Sequence, residues 1–268
     1  MSQGLTASKA SISITFLLSV IATFYYLFPV QNQPHYATPF SCSIIVTIMY
    51  WIITLLVQFL FISKSLFNTN VSLENQSNII AIVGPHFIFS NILHSVWCFF
   101  FSNERFVISE ILILLNLLNL LTLYFSHKTM SIKSLSDWLT VHLPVTGLPL
   151  SWTLYAVFWN GACLFYSHNK SLLPRLLGNI FIWEFMLVPL SLLLLYSDWS
   201  VSLSSSFLML GVGFYQMFTK LFALQWIFAF SISAIDFAFS ILFMFNNALG
   251  QVENHTPSTS SDQAPLLA

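Results

Sequence analysis

Residues 41–62 read SCSIIVTIMYWIITLLVQFLFI, an uncharged run of about 20 residues, which is the length at which an α-helix crosses a bilayer. Similar runs recur along nearly the whole chain. Of the 268 residues, 57% are hydrophobic and 6% are charged, so the 8 Lys and Arg and the 9 Asp and Glu are too few to cover a soluble globule of this size. The sequence therefore predicts a multi-pass membrane protein that has no room for a separate soluble domain.

The form of the apolar runs predicts the type of membrane fold. Backbone polar groups in hydrocarbon must be paired within the protein, which leaves helical bundles and closed barrels. The runs here are unbroken and do not alternate in short segments, so they favour helices. We predict an all-α polytopic transmembrane helical bundle, a single domain over residues 1–250 followed by a disordered polar tail at 251–268. The expected spans number about eight, at 11–30, 41–62, 79–101, 106–126, 148–167, 173–196, 202–218 and 221–246.

Charge and motif content exclude several classes of function. The formal net charge of −1 is not the electrostatic footprint of a nucleic-acid-binding protein, so no nucleic acid partner is predicted. Cys42, Cys98 and Cys163 lie in separate apolar runs without metal-ligand spacing and are interpreted as small core residues. No metal and no cofactor are predicted. The chain has no HExxH, GxSxG or Gly-rich phosphate loop, so an enzyme is not expected.

Polar residues within the spans are candidates for function, because exposing one to lipid costs on the order of a few kcal/mol. In the third span, His86, Ser90, His94 and Trp97 follow each other at spacings that place them on one helical face. The two histidines are two turns apart, about 12 Å, which is too far to share a metal ion. Two interpretations stay open, namely interhelical hydrogen bonding and a polar-lined ligand pocket.

The fifth span has the most informative face. Its members are mostly aromatic side chains with N–H or O–H groups, which usually need a partner when buried: Trp152, Tyr155, Ala156, Trp159, Asn160, Cys163 and Tyr166. Beside a small alanine, such a column makes a flat slot suited to a planar or sterol-like guest. The alternative is an interfacial aromatic belt, which explains Trp152 and Tyr166 but explains Trp159 poorly, since Trp159 lies near mid-span.

Two carboxyl groups in the last spans indicate a different chemistry. Glu184 is followed by Pro189, which removes the helical hydrogen bond to the Phe185 carbonyl and predicts a kink with a free acceptor, as at transporter sites. Asp236 shares a face with small residues, so it should point inward. Each acid has two readings, a structural hydrogen-bonding group or a proton-carrying group in transport.

Two further features concern connections and helix contacts. Asn116 and Asn119, one turn apart in the fourth span, are predicted to bond neighbouring helices without a ligand role. The segment from Ser131 to Ser151 carries Trp138, His142, Pro144 and Pro149 and is predicted to lie at the membrane interface. Its two prolines argue against a continuous helix that enters the bilayer.

The tail ends in an acidic-dileucine pattern formed by Asp262, Leu266 and Leu267. Cytosolic sorting adaptors read such patterns, which favours an endomembrane location, with the vacuolar or lysosomal membrane first and the endoplasmic reticulum as the alternative. The pattern is short, and an accidental match is the competing interpretation.

Three segments resemble helices two, three and five of the tryptophan-rich sensory protein (translocator protein) family: 39-PFSCSIIVTIMY-50, 93-LHSVWCFF-100 and 152-WTLYAVFWN-160. The resemblance covers residues 16–167 and implies that the first five spans form that family's five-helix bundle. The whole chain, with its turn at 142–144 and three extra helices, resembles uncharacterised eight-span fungal relatives of the family. The resemblance implies a pocket that includes Tyr50, His94, Trp97, Trp152, Ala156 and Asn160, to which the aromatic face adds Trp159.

The family binds tetrapyrroles and, in animals, sterols, which the resemblance implies as ligand classes here. Val46 stands where the family has a tryptophan in helix two, and His94 stands where it has an asparagine. Loss of the ring-stacking tryptophan counts against a porphyrin in particular. An aromatic pocket for some apolar guest is the expectation that survives.

Three functions are carried forward. The first is a ligand-binding or sensory membrane protein that holds a hydrophobic small molecule, a tetrapyrrole, sterol or lipid, in an intramembrane pocket. The second is a secondary transporter that uses Glu184 and Asp236. The third is a membrane scaffold that binds nothing small. The expected partners are membrane lipids, a hydrophobic small molecule and cytosolic sorting adaptors.

Overall fold

The computed structural model describes residues 2–63, 73–126, 129, 138–166, 172–219 and 224–255. Within these ranges the regular structure is helical throughout and contains no strand. The predicted fold class, an all-α bundle, is therefore confirmed. The sorting pattern formed by Asp262, Leu266 and Leu267 lies outside the described residues.

Helices follow the apolar runs along the chain. Helix α1 (Ser2–Ala22) continues through a π-helical turn (Thr23–Leu27) and a last turn (Phe28–Val30). The first connection, residues 31–43, contains a short 3₁₀ helix (Pro34–Tyr36). The π-helical segment Trp138–Gly147 leads directly into helix α5. The other helices are α2 (Ile44–Phe61), α3 (Leu73–Ser102), α4 (Phe106–Ser126), α5 (Leu148–Tyr166), α6 (Leu172–Phe181), α7 (Glu184–Tyr196), α8 (Trp199–Thr219) and α9 (Gln225–His255).

Seven helical stretches within the described residues are long and apolar enough to cross a membrane. One of them, Leu176–Tyr196, combines α6 and α7. Helix α5 has 19 residues, but its Trp, Tyr and Asn side chains make it less apolar, and it is not among the seven. The protein is thus a polytopic membrane protein, and the count of eight spans stays a prediction. Helix α9 ends at His255, inside the range predicted as tail.

Helix α8 is the most buried of these spans and packs against α2, α5, α7 and α9. Its approach to α2 is close because position 211 is a glycine. A Cβ there would collide with the Cys42 sulfur and lie 2.8 Å from a methyl group of Val46. The Ser43 N–H also donates to the Gly211 carbonyl at 2.9 Å. The start of α2 and the middle of α8 are therefore in direct backbone contact.

The proline-containing segment differs from the prediction. It does not break, because a π-helix from Trp138 to Gly147 continues into α5 with Pro144 and Pro149 inside the helical run. A π-helical turn is wider than an α-helical one, so it accommodates a ring and a missing N–H that would disrupt regular α-helical pairing. Trp138 and His142 are buried in the protein.

The sixth predicted span also differs from the prediction. Its interruption falls at Ile182–Trp183, between α6 and α7, before Pro189 is reached. The carbonyl of Phe185, expected to be a free acceptor, accepts a hydrogen bond of 3.1 Å from the Ser205 hydroxyl of α8. The expectation of an open acceptor beside Glu184 is therefore wrong, because a neighbouring helix supplies the donor.

Candidate ligand-binding site

A small cavity lies where the first five helices meet, and we call it the central cavity. Its volume is about 20 Å³, near the size of one water molecule. Each of α1 to α5 contributes at least one lining residue, and none of these residues is Asp, Glu, Lys or Arg. The lining residues are Ser19, Trp51, Gln58, Ser90, Asn91, His94, Asn116, Pro149, Trp152 and Thr153.

Aromatic rings form one wall of the central cavity. Trp51 stacks on His94, with ring centroids 4.4 Å apart and planes at 29°. Trp152 meets Trp51 edge-on at 5.1 Å and Trp97 edge-on at 6.4 Å. All four side chains are buried. Trp152 is thus part of the protein interior, which decides against the interfacial-belt interpretation for this residue.

The π-helical turn of α1 orients the histidine. The hydroxyl of Thr23 donates its one hydrogen to the Ser19 carbonyl at 2.8 Å. The contact of 3.0 Å between that hydroxyl and His94 Nε2 must therefore have Nε2 as the donor. The Cys98 sulfur lies 3.4 Å from the same nitrogen. His94 thus makes an interhelical hydrogen bond and also lines the cavity, so both interpretations of the third-span face apply to it.

Four lining residues carry a buried polar atom that has no hydrogen-bond partner among the residues that the structure describes. Two are donors, the indole N–H groups of Trp51 and Trp152, and two are acceptors, Gln58 Oε1 and Asn116 Oδ1. Each such atom costs about 1–3 kcal/mol if nothing satisfies it. A hydroxyl, an amide or a water molecule both donates and accepts, so it matches this set, whereas the lining offers no cation for an anionic group.

Two residues of the fifth-span face bind the first connection and lie away from the cavity. The Tyr155 hydroxyl donates to the Phe40 carbonyl at 2.8 Å, and the Trp159 indole N–H donates to the Tyr36 carbonyl at 3.2 Å. The part of the predicted slot beside these two rings is therefore occupied by the protein's own chain.

Tyr50, Ala156 and Asn160 are buried but do not line the central cavity. The Tyr50 hydroxyl donates to the Leu148 carbonyl at 2.7 Å and joins α2 to the start of α5. Of the predicted pocket residues, the structure brings His94 and Trp152 to the cavity. The Trp97 ring does not line the cavity but meets the Trp152 ring edge-on.

Asn160 joins α5 to α4 and uses both ends of its amide. Its Oδ1 accepts from the Ser109 hydroxyl at 2.5 Å. Its Nδ2 donates to the Phe106 carbonyl at 2.9 Å and to Glu110 Oε2 at 2.6 Å. Glu110 escaped the sequence analysis because it lies near the start of its span.

The two acids predicted for transport lie apart from the central cavity. Glu184 lines a second cavity of about 10 Å³ between α5, α7 and α8. Asp236 is fully buried on α9, and its backbone carbonyl accepts hydrogen bonds from Ser202 and Ser240. Within the described ranges of the chain, neither oxygen of its carboxyl group has a hydrogen-bond partner.

Sequence reasoning missed Trp51 and Gln58, and it assigned Asn116 a helix-bonding role without a ligand. Gln58 is the one amide in its apolar run and lies two helical turns after Trp51, a spacing that could have flagged both. Of the paired asparagines, Asn119 makes the predicted interhelical bond, at 2.8 Å to His86, whereas Asn116 lines the cavity.

The cysteines behave as predicted. Cys42, Cys98 and Cys163 are free and buried, so their interpretation as core residues is confirmed. Among the residues that the structure describes, no group of three or more His, Cys, Asp and Glu side chains is placed to hold a metal ion.

The sequence model of the TSPO-like protein family matches residues 10–176, more than half of the chain. The chain belongs to the TSPO-like protein family. All residues that line the central cavity fall within this match, which we call the TSPO-like region. A second model, of a fungal protein family of unknown function (DUF1774), matches residues 175–267, the C-terminal region. Both findings confirm the resemblance drawn from the sequence.

One curated relative shows how far the similarity extends. "Uncharacterized protein C637.03" of Schizosaccharomyces pombe (strain 972 / ATCC 24843) is 39% identical to this TSPO-like protein over 93 residues. The match covers 35% of this chain and 33% of the relative, so the chain spans about a third of that relative's length. No solved structure matches the chain.

Asn116 of α4 and Asn160 of α5 should respond in opposite ways to replacement by leucine. Asn116→Leu removes an unpartnered acceptor at similar volume, so we expect thermal stability without ligand to stay equal or rise by about 1 kcal/mol. Asn160→Leu removes the amide donor of the Glu110 carboxyl group and the acceptor of Ser109, which keeps only the Phe106 carbonyl, and it should cost about 1–3 kcal/mol. Thermal unfolding in nanodiscs measures both, and equal losses would show that Asn116 is already satisfied within the protein.

Proposed function

We propose that this membrane protein binds a hydrophobic small molecule whose uncharged polar group enters the central cavity. The observation that carries the proposal is the set of four unpartnered polar atoms on residues that line one buried space. Interior polar atoms are almost always paired, and each unpaired group in a native structure calls for an explanation. A ligand with a single hydroxyl or amide would satisfy several of them at once.

The polarity of the cavity favours some ligand classes over others. The carboxylates of a tetrapyrrole would need cationic partners, and the lining residues include no Lys or Arg. A sterol or a neutral lipid presents one hydroxyl on an apolar body, which fits two donors and two acceptors beside an aromatic wall. Among the tetrapyrrole, sterol and lipid classes, the structure therefore supports a neutral hydroxyl-bearing ligand best.

The body of such a ligand requires the helices to move. Drug-sized ligands occupy pockets of about 300–1,000 Å³, far larger than the present cavity of about 20 Å³. Helix α1 contributes a single lining residue, Ser19, and its π-helical turn lies next to the cavity through Thr23. Displacing α1 would open the space and leave the rest of the lining in place, and π-helical turns are frequent at functional sites.

A second candidate function, secondary transport, is favoured by Asp236. An ionised carboxyl in hydrocarbon without a counter-charge costs several kcal/mol, and both of its oxygens lack a partner among the described residues. A proton or another cation bound during a transport cycle would complete this site. The Glu184 carboxyl beside the second cavity is the other acid that such a cycle could use.

The proposed location is the vacuolar or lysosomal membrane, with the endoplasmic reticulum as the alternative. The support for it is the tail pattern of Asp262, Leu266 and Leu267, which cytosolic sorting adaptors would bind.

Matched sterols test the ligand proposal in nanodiscs by thermal unfolding. A sterol alcohol should raise the unfolding temperature, because a ligand at 100 times its Kd adds about 2.7 kcal/mol to stability. The sterol sulfate, the parent hydrocarbon and protoporphyrin should do so far less. Gln58→Leu and Trp152→Phe should each reduce the shift, because each removes one of the four unpartnered atoms, and Ser233→Ala on α9 is the control. Equal shifts with the alcohol and the sulfate would contradict the proposal.

Proton movement tests the transport candidate. Proteoliposomes that hold a trapped pH-sensitive dye should acidify under an imposed membrane potential, and Asp236→Asn should abolish the signal because it removes the titratable group. Glu184→Gln shows whether the second acid takes part, with Ser233→Ala as the control. Acidification no faster than in protein-free liposomes rejects this candidate.

A fluorescent fusion tests the location. Replacing Leu266 and Leu267 by alanine should shift the fusion from the vacuolar membrane to earlier compartments, because the adaptor contact is removed. Pro257→Ala with Ser258→Ala, in the same tail, is the matched control. If the wild-type fusion and the dialanine variant both lie in the endoplasmic reticulum, the dileucine pattern is an accidental match.

A further inference from the structure

A buried contact between a histidine and a carboxylate joins the two family regions. His142 Nε2 lies 3.0 Å from Asp198 Oδ2, and both side chains are fully buried. His142 belongs to the π-helical segment of the TSPO-like region. Asp198 lies between α7 and α8 in the C-terminal region. The pair therefore ties the C-terminal helices to the segment that leads into α5.

The carboxyl group of Asp198 is held in place by several donors. Its Oδ1 accepts from the Ser200 backbone N–H at 3.0 Å and from the Ser200 hydroxyl at 2.5 Å, which caps the start of α8. Burial raises the pKa of Asp198, but the His142 ring and these hydrogen bonds outweigh burial and hold the pKa below its usual range. Asp198 thus presents a fixed negative charge to His142.

The segment that carries His142 is also held in place by packing. The Trp138 ring lies 4.3 Å from the His142 ring and stacks on Trp199 of α8 at 6.0 Å. Gly147, at the other end of the π-helical segment, lies so close to α8 that a Cβ would come within 2.6 Å of the Ser200 hydroxyl. The beginning of α8 therefore fixes this segment along its whole length.

The same segment holds one of the cavity residues. The Pro144 carbonyl, two residues after His142, accepts a hydrogen bond of 3.2 Å from Gln58 Nε2. The oxygen and nitrogen of an amide point in different directions, so fixing Nε2 also fixes where Oε1 points. Oε1 is one of the two unpartnered acceptors of the central cavity.

We propose that His142 and Asp198 are a positioning pair for the central cavity: they hold the π-helical segment so that Pro144 keeps the Gln58 amide with its oxygen toward the ligand. Through this pair the C-terminal region sets the ligand selectivity of the TSPO-like region. The inference rests on the proposed ligand-binding function and adds a specificity to it. Gln58 Oε1 can only accept a hydrogen bond, so a ligand that carries an alcohol O–H is preferred to the matching ketone.

Removing the charge of Asp198 tests the pair. Asp198→Asn retains a good helix cap, so α8 should still begin at the same residue. Without the charge the contact at His142 is weakened, so the Pro144 carbonyl should shift and hold the Gln58 amide less firmly, although the contacts of Trp138 and Gly147 with α8 remain. We expect affinity for a sterol alcohol to fall roughly tenfold, while affinity for the matching 3-ketone changes little. His142→Gln provides a second variant that should behave in the same way.

A double-mutant cycle separates positioning from a general structural effect. Gln58→Leu should remove the preference for the alcohol, and adding Asp198→Asn to it should have no further effect on either affinity. Ser233→Ala, which removes a hydrogen bond of 2.8 Å between α9 and α8, is the control that weakens the C-terminal region elsewhere. If the folded Asp198→Asn and His142→Gln proteins keep the wild-type preference for alcohol over ketone, the positioning role is rejected.

A readout without ligand makes this inference separable from the proposed function. Selective ¹⁵N labelling of glutamine gives side-chain amide signals, and the one absent in Gln58→Leu belongs to Gln58. We expect this signal to shift or broaden in Asp198→Asn and in His142→Gln, but not in Ser233→Ala. An unchanged signal overturns the positioning role whether or not the wild type binds a sterol. A changed signal in a protein that binds no sterol supports the coupling and rejects the proposed function.

Discussion

Polar groups buried in hydrocarbon must find their partners within the protein, and the arrangement of this bundle depends on that requirement. The first connection has backbone carbonyls that no helix pairs, and side chains from distant helices supply the donors. Tyr155 and Trp159 of α5 and Gln216 of α8 all donate to it. Other buried polar atoms among the described residues also lack a partner, and the central cavity differs from them because four such atoms belong to residues that line the same space.

The valine at position 46, where the resemblance drawn from the sequence expects a tryptophan, packs against the C-terminal region. Val46 lies against Gly211 of α8, since a Cβ at position 211 would lie 2.8 Å from a Val46 methyl group. A tryptophan at position 46 would need the space that α8 occupies. The valine at position 46 and the added helix α8 therefore belong to the same packing arrangement. The aromatic residue that α2 brings to the cavity is Trp51, which stacks on His94.

The sequence predicted the helical class and two cavity residues, His94 and Trp152, because hydropathy and helical spacing show which face of a helix is polar. It did not predict which neighbour that face would meet. Asn116 and Asn119 are one turn apart, yet one lines the cavity and the other bonds His86. The Phe185 carbonyl was expected to be free, but the hydroxyl of Ser205 lies 20 positions later and reaches it only through packing. Such contacts depend on how neighbouring helices are rotated relative to each other, and the spacing of residues within one helix does not determine that rotation.

The hydrogen bonds of Gln216 bear on how the protein is assembled in the cell. Its amide donates to the carbonyls of Thr38 and Pro39 at 2.8 and 3.0 Å, across most of the chain length. Synthesis proceeds from the N-terminus, so these carbonyls and His142 are made before their partners, Gln216 and Asp198, have been translated. Until the last third of the chain is made, the first five helices therefore lack these partners, and we expect the bundle to close only when α8 packs against them.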